Sequence, residues 1–127
     1  CRVFEDYLYV CNSWSGQVIK FNITSSGELE EVTRYSANET TMGIEVDQNG
    51  TVYYDRYWTP SLYSIDSDGN EKVLFESQLV SPMRYLCYYG KTIYAVQNEG
   101  VDSGGGNSGA VIKMYVGIKQ APNYGKN

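Results

Sequence analysis

The chain has 127 residues, enough for one small domain, with 10 basic against 15 acidic residues and a formal net charge of −5. The basic residues are scattered singly, so no positive stripe can displace counterions from a nucleic acid and no polybasic patch can hold an anionic membrane surface. No apolar run approaches the length of a membrane-spanning helix, and the absence of histidine excludes imidazole-activated nucleophiles and imidazole metal ligands.

In chain order, the expected elements are all short strands. Cys1 to Phe4 turns at Glu5-Asp6 into Tyr7 to Val10, followed by Gln17 to Phe21 and Leu29 to Tyr35. Ile44 to Asp47 runs into Asn49-Gly50, a dipeptide suited to a type I′ turn with positive φ at both central residues. Thr51 to Tyr57 stops near Pro60, Ser61 to Ile65 ends in the turn cluster Asp66-Ser67-Asp68-Gly69-Asn70, and Lys72 to Ser77 follows. Thr92 to Ala95 comes after Gly90-Lys91, and Ala110 to Met114 comes after a glycine-rich insertion. No segment of ten or more residues sustains a helical period with caps.

These strands repeat. Leu8, Val52 and Ile93 occupy one aliphatic position, and the next residue is Tyr in each copy, at Tyr9, Tyr53 and Tyr94. Val18-Ile19-Lys20-Phe21, Leu62-Tyr63-Ser64-Ile65 and Val111-Ile112-Lys113-Met114 are three copies of a later strand. Four strands joined by tight turns in about forty residues mark one β-propeller blade. The expected fold is all-β, with blades at residues 1–36, 42–77 and 82–117, the last incomplete, and a tail at 118–127. Val52, Tyr54, Leu62, Ile65, Val73 and Phe75 are expected to supply much of the middle blade's packing. Fewer than three complete blades leave sheet faces uncovered. The blades are therefore expected to belong to a longer chain, or else to a homo-oligomer or filament that completes the ring.

Compartment is read from cysteines and sequons. Cys1, Cys11 and Cys87 are odd in number; a Cys1–Cys11 disulfide, free buried thiols and a lipidated Cys1 are all open readings. The sequence begins at Cys1 without Met, as a mature form, a processed form or a segment of a longer chain would. Asn22-Ile23-Thr24, Asn38-Glu39-Thr40 and Asn49-Gly50-Thr51 are acceptor sequons at expected turns or loops. They make Asn22, Asn38 and Asn49 the expected glycosylation sites of an extracellular or cell-surface protein.

Val52-Tyr53-Tyr54-Asp55, then Leu62 to Asp66, Gly69, and Lys72 to Phe75 resemble the YWTD repeat of low-density-lipoprotein-receptor-type propellers. Ser81-Pro82 resembles the short Pro-containing link between such blades. The Thr of YWTD is missing, and only the middle blade keeps the Asp. The outer copies are similar to the looser NHL, gluconolactonase-like and strictosidine-synthase-like six-bladed propellers. The resemblance implies a six-bladed architecture, usually an extracellular binding or scaffolding module. Its gluconolactonase-like branch implies a divalent metal such as calcium at the axis, for which Glu45, Asp47, Asn98 and Glu99 would be the candidates; exposed loop acids explain them more simply.

Other constellations are weaker. Asp66 to Asn70 resembles the start of an EF-hand loop, but its Gly falls at the fourth place instead of the sixth, so a hairpin is expected. The Gly104-Gly105-Gly106 stretch lacks the Lys-[ST] of a phosphate loop. Arg56 and Lys20 read as solvated strand positions. Trp14, Tyr57 and Trp58 follow the second strands of the first two blades, where they can pack between blades or form a ligand rim. Two functional readings follow: a non-enzymatic binding, adhesion or scaffold module for a protein or glycan partner, and a gluconolactonase- or strictosidine-synthase-like hydrolase or lyase.

Overall fold

The strand-forming runs of Val, Ile, Thr and Tyr become eleven strands in a computed structural model that describes residues 1–78, 82–97 and 109–122. These are β1 (Arg2–Phe4), β2 (Tyr7–Asn12), β3 (Gln17–Ile23), β4 (Leu29–Ser36), β5 (Ile44–Val46), β6 (Val52–Arg56), β7 (Ser61–Ile65), β8 (Glu71–Glu76), β9 (Met83–Tyr89), β10 (Thr92–Gln97) and β11 (Ala110–Tyr115). No helix occurs among the described residues. The strands form three antiparallel meanders, β1-β2-β3-β4, β5-β6-β7-β8 and β9-β10-β11. The fold is all-β and β-propeller-like, as the repeat pattern predicts.

The tight turns share one construction. Residues 24–28, 47–51 and 66–70 each close through an amide at the fourth position that donates to the first carbonyl, as in Gly50 to Asp47 (3.0 Å) and Gly69 to Asp66 (3.0 Å). The glycine takes positive φ, +79° at Gly50 and +86° at Gly69. The first side chain caps the turn: Asp47 Oδ1 accepts from the amides of Asn49 and Thr51, and Asp66 Oδ1 from those of Asp68 and Asn70. This corrects the type I′ expectation. Only Gly50 has positive φ, because the turn is a longer loop with a glycine bulge that Asp47 stabilises locally.

Successive sheets stack face to face. The first core cluster joins Tyr9 and Val18 of the first sheet to Ile44, Val46, Val52, Tyr54, Tyr63 and Ile65 of the second. The second joins Tyr53 and Leu62 to Met83, Leu86, Tyr88, Ile93 and Ala95 of the third. Val52, Tyr54, Leu62 and Ile65 are buried and Phe75 packs against the second cluster, but Val73 is 48% exposed. The reason is a bulge in β8: Leu62 pairs with Phe75 and Tyr63 with Val73, so Leu74 is the extra residue. The bulge moves Val73 to the face opposite Phe75. The segment expected to be a tail is described to Pro122, and it returns to β5 and the turn that follows it. Gln48 donates its amide to Lys119 O and Ala121 donates to Val46 O, both at 3.0 Å, and Ala121 enters the first core cluster.

The crossing from the first sheet to the second is held by one buried side chain. Asp55 Oδ1, on β6, accepts from the Thr41 hydroxyl (3.2 Å) and from the amides of Met42 (2.7 Å) and Gly43 (2.9 Å). Gly43 itself lies against the third sheet, where an added Cβ would stand 2.6 Å from the Leu86 nitrogen. Burial, opposed by these hydrogen bonds, pushes the Asp55 carboxyl up to about 6 from 3.8. Because the folded state then holds the proton more tightly than the unfolded one, the contribution is complete below about 3.8 and is lost as pH rises through about 6. Asp55→Asn is therefore expected to flatten the pH dependence of the melting temperature across that window; a curve parallel to that of the parent would contradict this. Asp55→Ala orphans two amides and a hydroxyl and should cost about 3 kcal/mol in denaturant unfolding.

Candidate functional site

In each antiparallel sheet the second strand ends where the first begins. The β2–β3 turn, the β6–β7 turn and the crossing into β5 therefore emerge on one side of the stack, together with the start of β9. There Ser13, Trp14, Thr40, Met42, Tyr57, Trp58 and Arg84 line a groove of about 350 Å³. Trp14 is 98% exposed and Trp58 68% exposed, so neither packs between blades, where packing would bury them. Tyr57 is half-buried and meets Trp58 edge-on, with ring centroids 4.6 Å apart.

Tyr57 is fixed from three directions. Its amide donates to Thr40 O (2.9 Å), its carbonyl accepts from the Met83 amide (3.3 Å), and its hydroxyl accepts from Arg84 Nη2 (2.5 Å). The Arg84 guanidinium also lies 5.0 Å from the Tyr57 ring centroid. Its Nε is buried without a partner, and Arg84 forms no ion pair among the described residues. The groove thus has an aromatic floor, two exposed indoles and the Arg84 guanidinium. It can bind a ligand with apolar faces and an acceptor group.

A second cavity, of about 400 Å³, opens among the innermost strands and is lined by Cys1, Arg2, Val3, Glu45, Cys87, Tyr88 and Gln120. Glu45 is 1% exposed, and both its oxygens accept from Arg2, at 2.8 Å from Nε and 2.5 Å from Nη2. This hydrogen bonding is the largest cause raising the Arg2 guanidinium above its ordinary value. Asp47 caps its turn through Oδ1 and accepts the Tyr53 hydroxyl at Oδ2 (2.9 Å). Tyr53 meets Tyr88 edge-on at 5.8 Å, and the Tyr88 hydroxyl donates to Ile118 O (2.6 Å). Burial first, and Asp47 next, push the Tyr53 hydroxyl far above its ordinary value. The carboxylates expected to hold an axial metal thus already carry a guanidinium and a phenol. Asn98 and Glu99 lie outside the described residues, as does the Gly104–Gly106 stretch. Among the described residues no three His, Cys, Asp or Glu side chains gather around a common point.

Cys1, Cys11 and Cys87 are free thiols in this structure. The register explains this, since Arg2 pairs with Tyr9 and Cys11 lies beyond the first strand's pairing. Cys11 instead packs against the first core cluster, where burial pushes its thiol up. Of the sequon residues, Asn38 and Asn49 are exposed, while Asn22 is half-buried in β3 with its amide directed at Glu30 (3.5 Å).

Arg56 and Lys20 are not simply solvated. Arg56 lies 3.9 Å over the Tyr63 ring and donates to the Tyr63 hydroxyl (2.9 Å), and the Lys20 ammonium sits 3.8 Å over Tyr7. Sequence reasoning missed Arg84 and Arg2. Both stand at the start of a first strand with no local signal, and their partners lie 27 and 43 residues away.

No protein-family profile matches the sequence, and no curated protein matches it. Among solved structures the chain is similar to a luciferin-regenerating enzyme, with a TM-score of 0.66 at 16% identity. The match covers 96% of this chain and 46% of that one, so the chain spans less than half the length of its structural neighbour. At this identity the likeness establishes the β-propeller-like fold alone.

Proposed function

We propose that the chain is a non-enzymatic binding module of the YWTD- or NHL-like propeller type, extracellular or at the cell surface, whose groove takes a glycan or a peptide of a protein partner. The observation that carries this reading is the pair of tryptophans, 98% and 68% exposed, flanking a groove whose floor is pinned by Tyr57. Exposed indoles contribute nothing to this chain's core, and covering one with a ligand is worth about 2 kcal/mol. Arg84 supplies a planar donor for a carboxylate or carbonyl of that ligand. In a glycan and peptide binding screen, Trp14→Ala and Trp58→Ala should each weaken the best ligand about tenfold or more while leaving stability within about 0.5 kcal/mol. Parent-like affinity in both variants would sink the reading.

The extracellular assignment rests on the three sequons, two of which present exposed asparagines. Intact mass of material from its native source is expected to exceed that of the bare polypeptide and to fall on enzymatic deglycosylation, with Asn38 or Asn49 as the modified residue. A mass equal to the bare chain counts against it.

A second reading, a gluconolactonase- or strictosidine-synthase-like hydrolase or lyase, takes its support from the structural neighbour being a luciferin-regenerating enzyme. That reading requires calcium or a similar ion near Glu45. Under the binding-module reading, adding calcium leaves the melting temperature unchanged. A stoichiometric rise that Glu45→Gln abolishes would transfer preference to the enzyme.

A further inference from the structure

We infer that the ligand of the aromatic groove is a carboxylated glycan, with sugar rings against Trp14 and Trp58 and its carboxylate on Arg84. This rests on the binding-module reading and adds to it the charge and class of the ligand. Of the chain's four arginines, Arg2, Arg34 and Arg56 each meet a carboxylate, at Glu45, Glu31 and Glu71. Arg84 meets none among the described residues, and it is the one that lines the groove.

Its contacts orient the cation without balancing it. Nη2 donates to the Tyr57 hydroxyl at 2.5 Å, and the guanidinium lies 5.0 Å from that ring's centroid. Nε is buried without a hydrogen-bond partner. The acidic side chains of the adjoining crossing and strand are engaged elsewhere. Glu39 accepts from the Thr59 amide and hydroxyl, and Asp55 is buried, with Oδ1 held by Thr41, Met42 and Gly43. A half-buried guanidinium held in one plane and lacking a countercharge fits a planar acceptor of two oxygens, which is a carboxylate.

A glycan suits the remaining surface better than a peptide. The groove is built from two turns, a crossing and the start of β9, and the main chain of its floor is already engaged. The Tyr57 amide donates to Thr40 O, and the Met83 amide donates to Tyr57 O. A peptide therefore gains no ladder of main-chain bonds there. A pyranose instead presents an apolar ring face, which covers an exposed indole, and hydroxyls, which meet those of Ser13 and Thr40 in the lining.

Calorimetric titration of the chain tests this with oligogalacturonate, oligoalginate, hyaluronan oligosaccharides and sialyllactose, each beside its carboxyl-reduced counterpart. At least one acidic form is expected to bind about tenfold or more tighter than its reduced form, and that ratio should fall to about one in Arg84→Gln. The comparison of the two forms on the parent chain needs no variant, so it decides the matter even where Arg84→Gln folds poorly. Equal binding of both forms overturns the inference, and leaves the groove reading standing where Trp58→Ala weakens both. Preference for dextran sulfate or an oligoglutamate peptide over every carboxylated oligosaccharide also overturns it. If nothing in the panel binds, or if binding ignores both Trp14→Ala and Trp58→Ala, the groove reading itself fails and the carboxylate assignment with it.

Discussion

A buried carboxylate that gathers three donors from a crossing loop sets the geometry from which the rest of the stack follows. A crossing of some seven residues between two sheets has amides with no strand partner, and burying them unpaired would cost more than the crossing could offset. Asp55 answers two of these amides and the Thr41 hydroxyl from one oxygen, and Tyr57 binds the same crossing again by donating its amide to Thr40 O. The crossing is thereby fastened to the second strand of the sheet it enters. That fixes where β5 begins, and so which faces of the first two sheets meet. At the second crossing a different polar residue of the second strand acts: Gln97, 1% exposed, accepts from the Ser77 hydroxyl at 2.6 Å. At the corresponding place in the first sheet stands Cys11, which sits opposite Val18 in the β2–β3 register.

Stacking then decides the fate of the tyrosines. Tyr9, Tyr53 and Tyr54 are nearly inaccessible, yet their hydroxyls remain near polar partners or the rim of the sheet. Tyr53 reaches Asp47, and Tyr54 reaches Glu71 by a short hydrogen bond. Each ring buries a large apolar area, and the Tyr53 and Tyr54 hydroxyls each meet a carboxylate. Burial raises all three phenols, Tyr9 to about 12, so these groups stay neutral donors across the physiological range.

Most of the architecture was legible in the sequence because it is local. Strand period, glycine turns and the recurring aliphatic-Tyr pair depend on residues a few positions apart, and strands such as Ser61–Ile65 stand where the pattern puts them. Two kinds of feature were not legible. Bulges shift register by one residue, and at Leu74 that was enough to send Val73 to the other face. Long-range polar pairings such as Arg2 with Glu45 join residues 43 apart, and nothing at either position signals the other. That pairing leaves both oxygens of Glu45 engaged by a guanidinium, a contact that no pattern at either position announces.

The aromatic groove occupies an intermediate position. Its residue types and their place after the second strands were visible, but their convergence was not, because it depends on how two sheets are rotated. The same rotation makes the groove rigid. Tyr57 contributes its amide to the first crossing, its carbonyl to the start of the third sheet and its hydroxyl to Arg84, so one residue ties all the elements that form the floor. Trp14 and Trp58 instead extend from turns, where no sheet face claims them. A fixed floor limits the conformational entropy lost on binding, while indoles on turns can adjust to the face they cover. That division between a braced base and free aromatic edges is what a recognition surface needs, and within this fold it arises where crossing loops and second-strand turns meet.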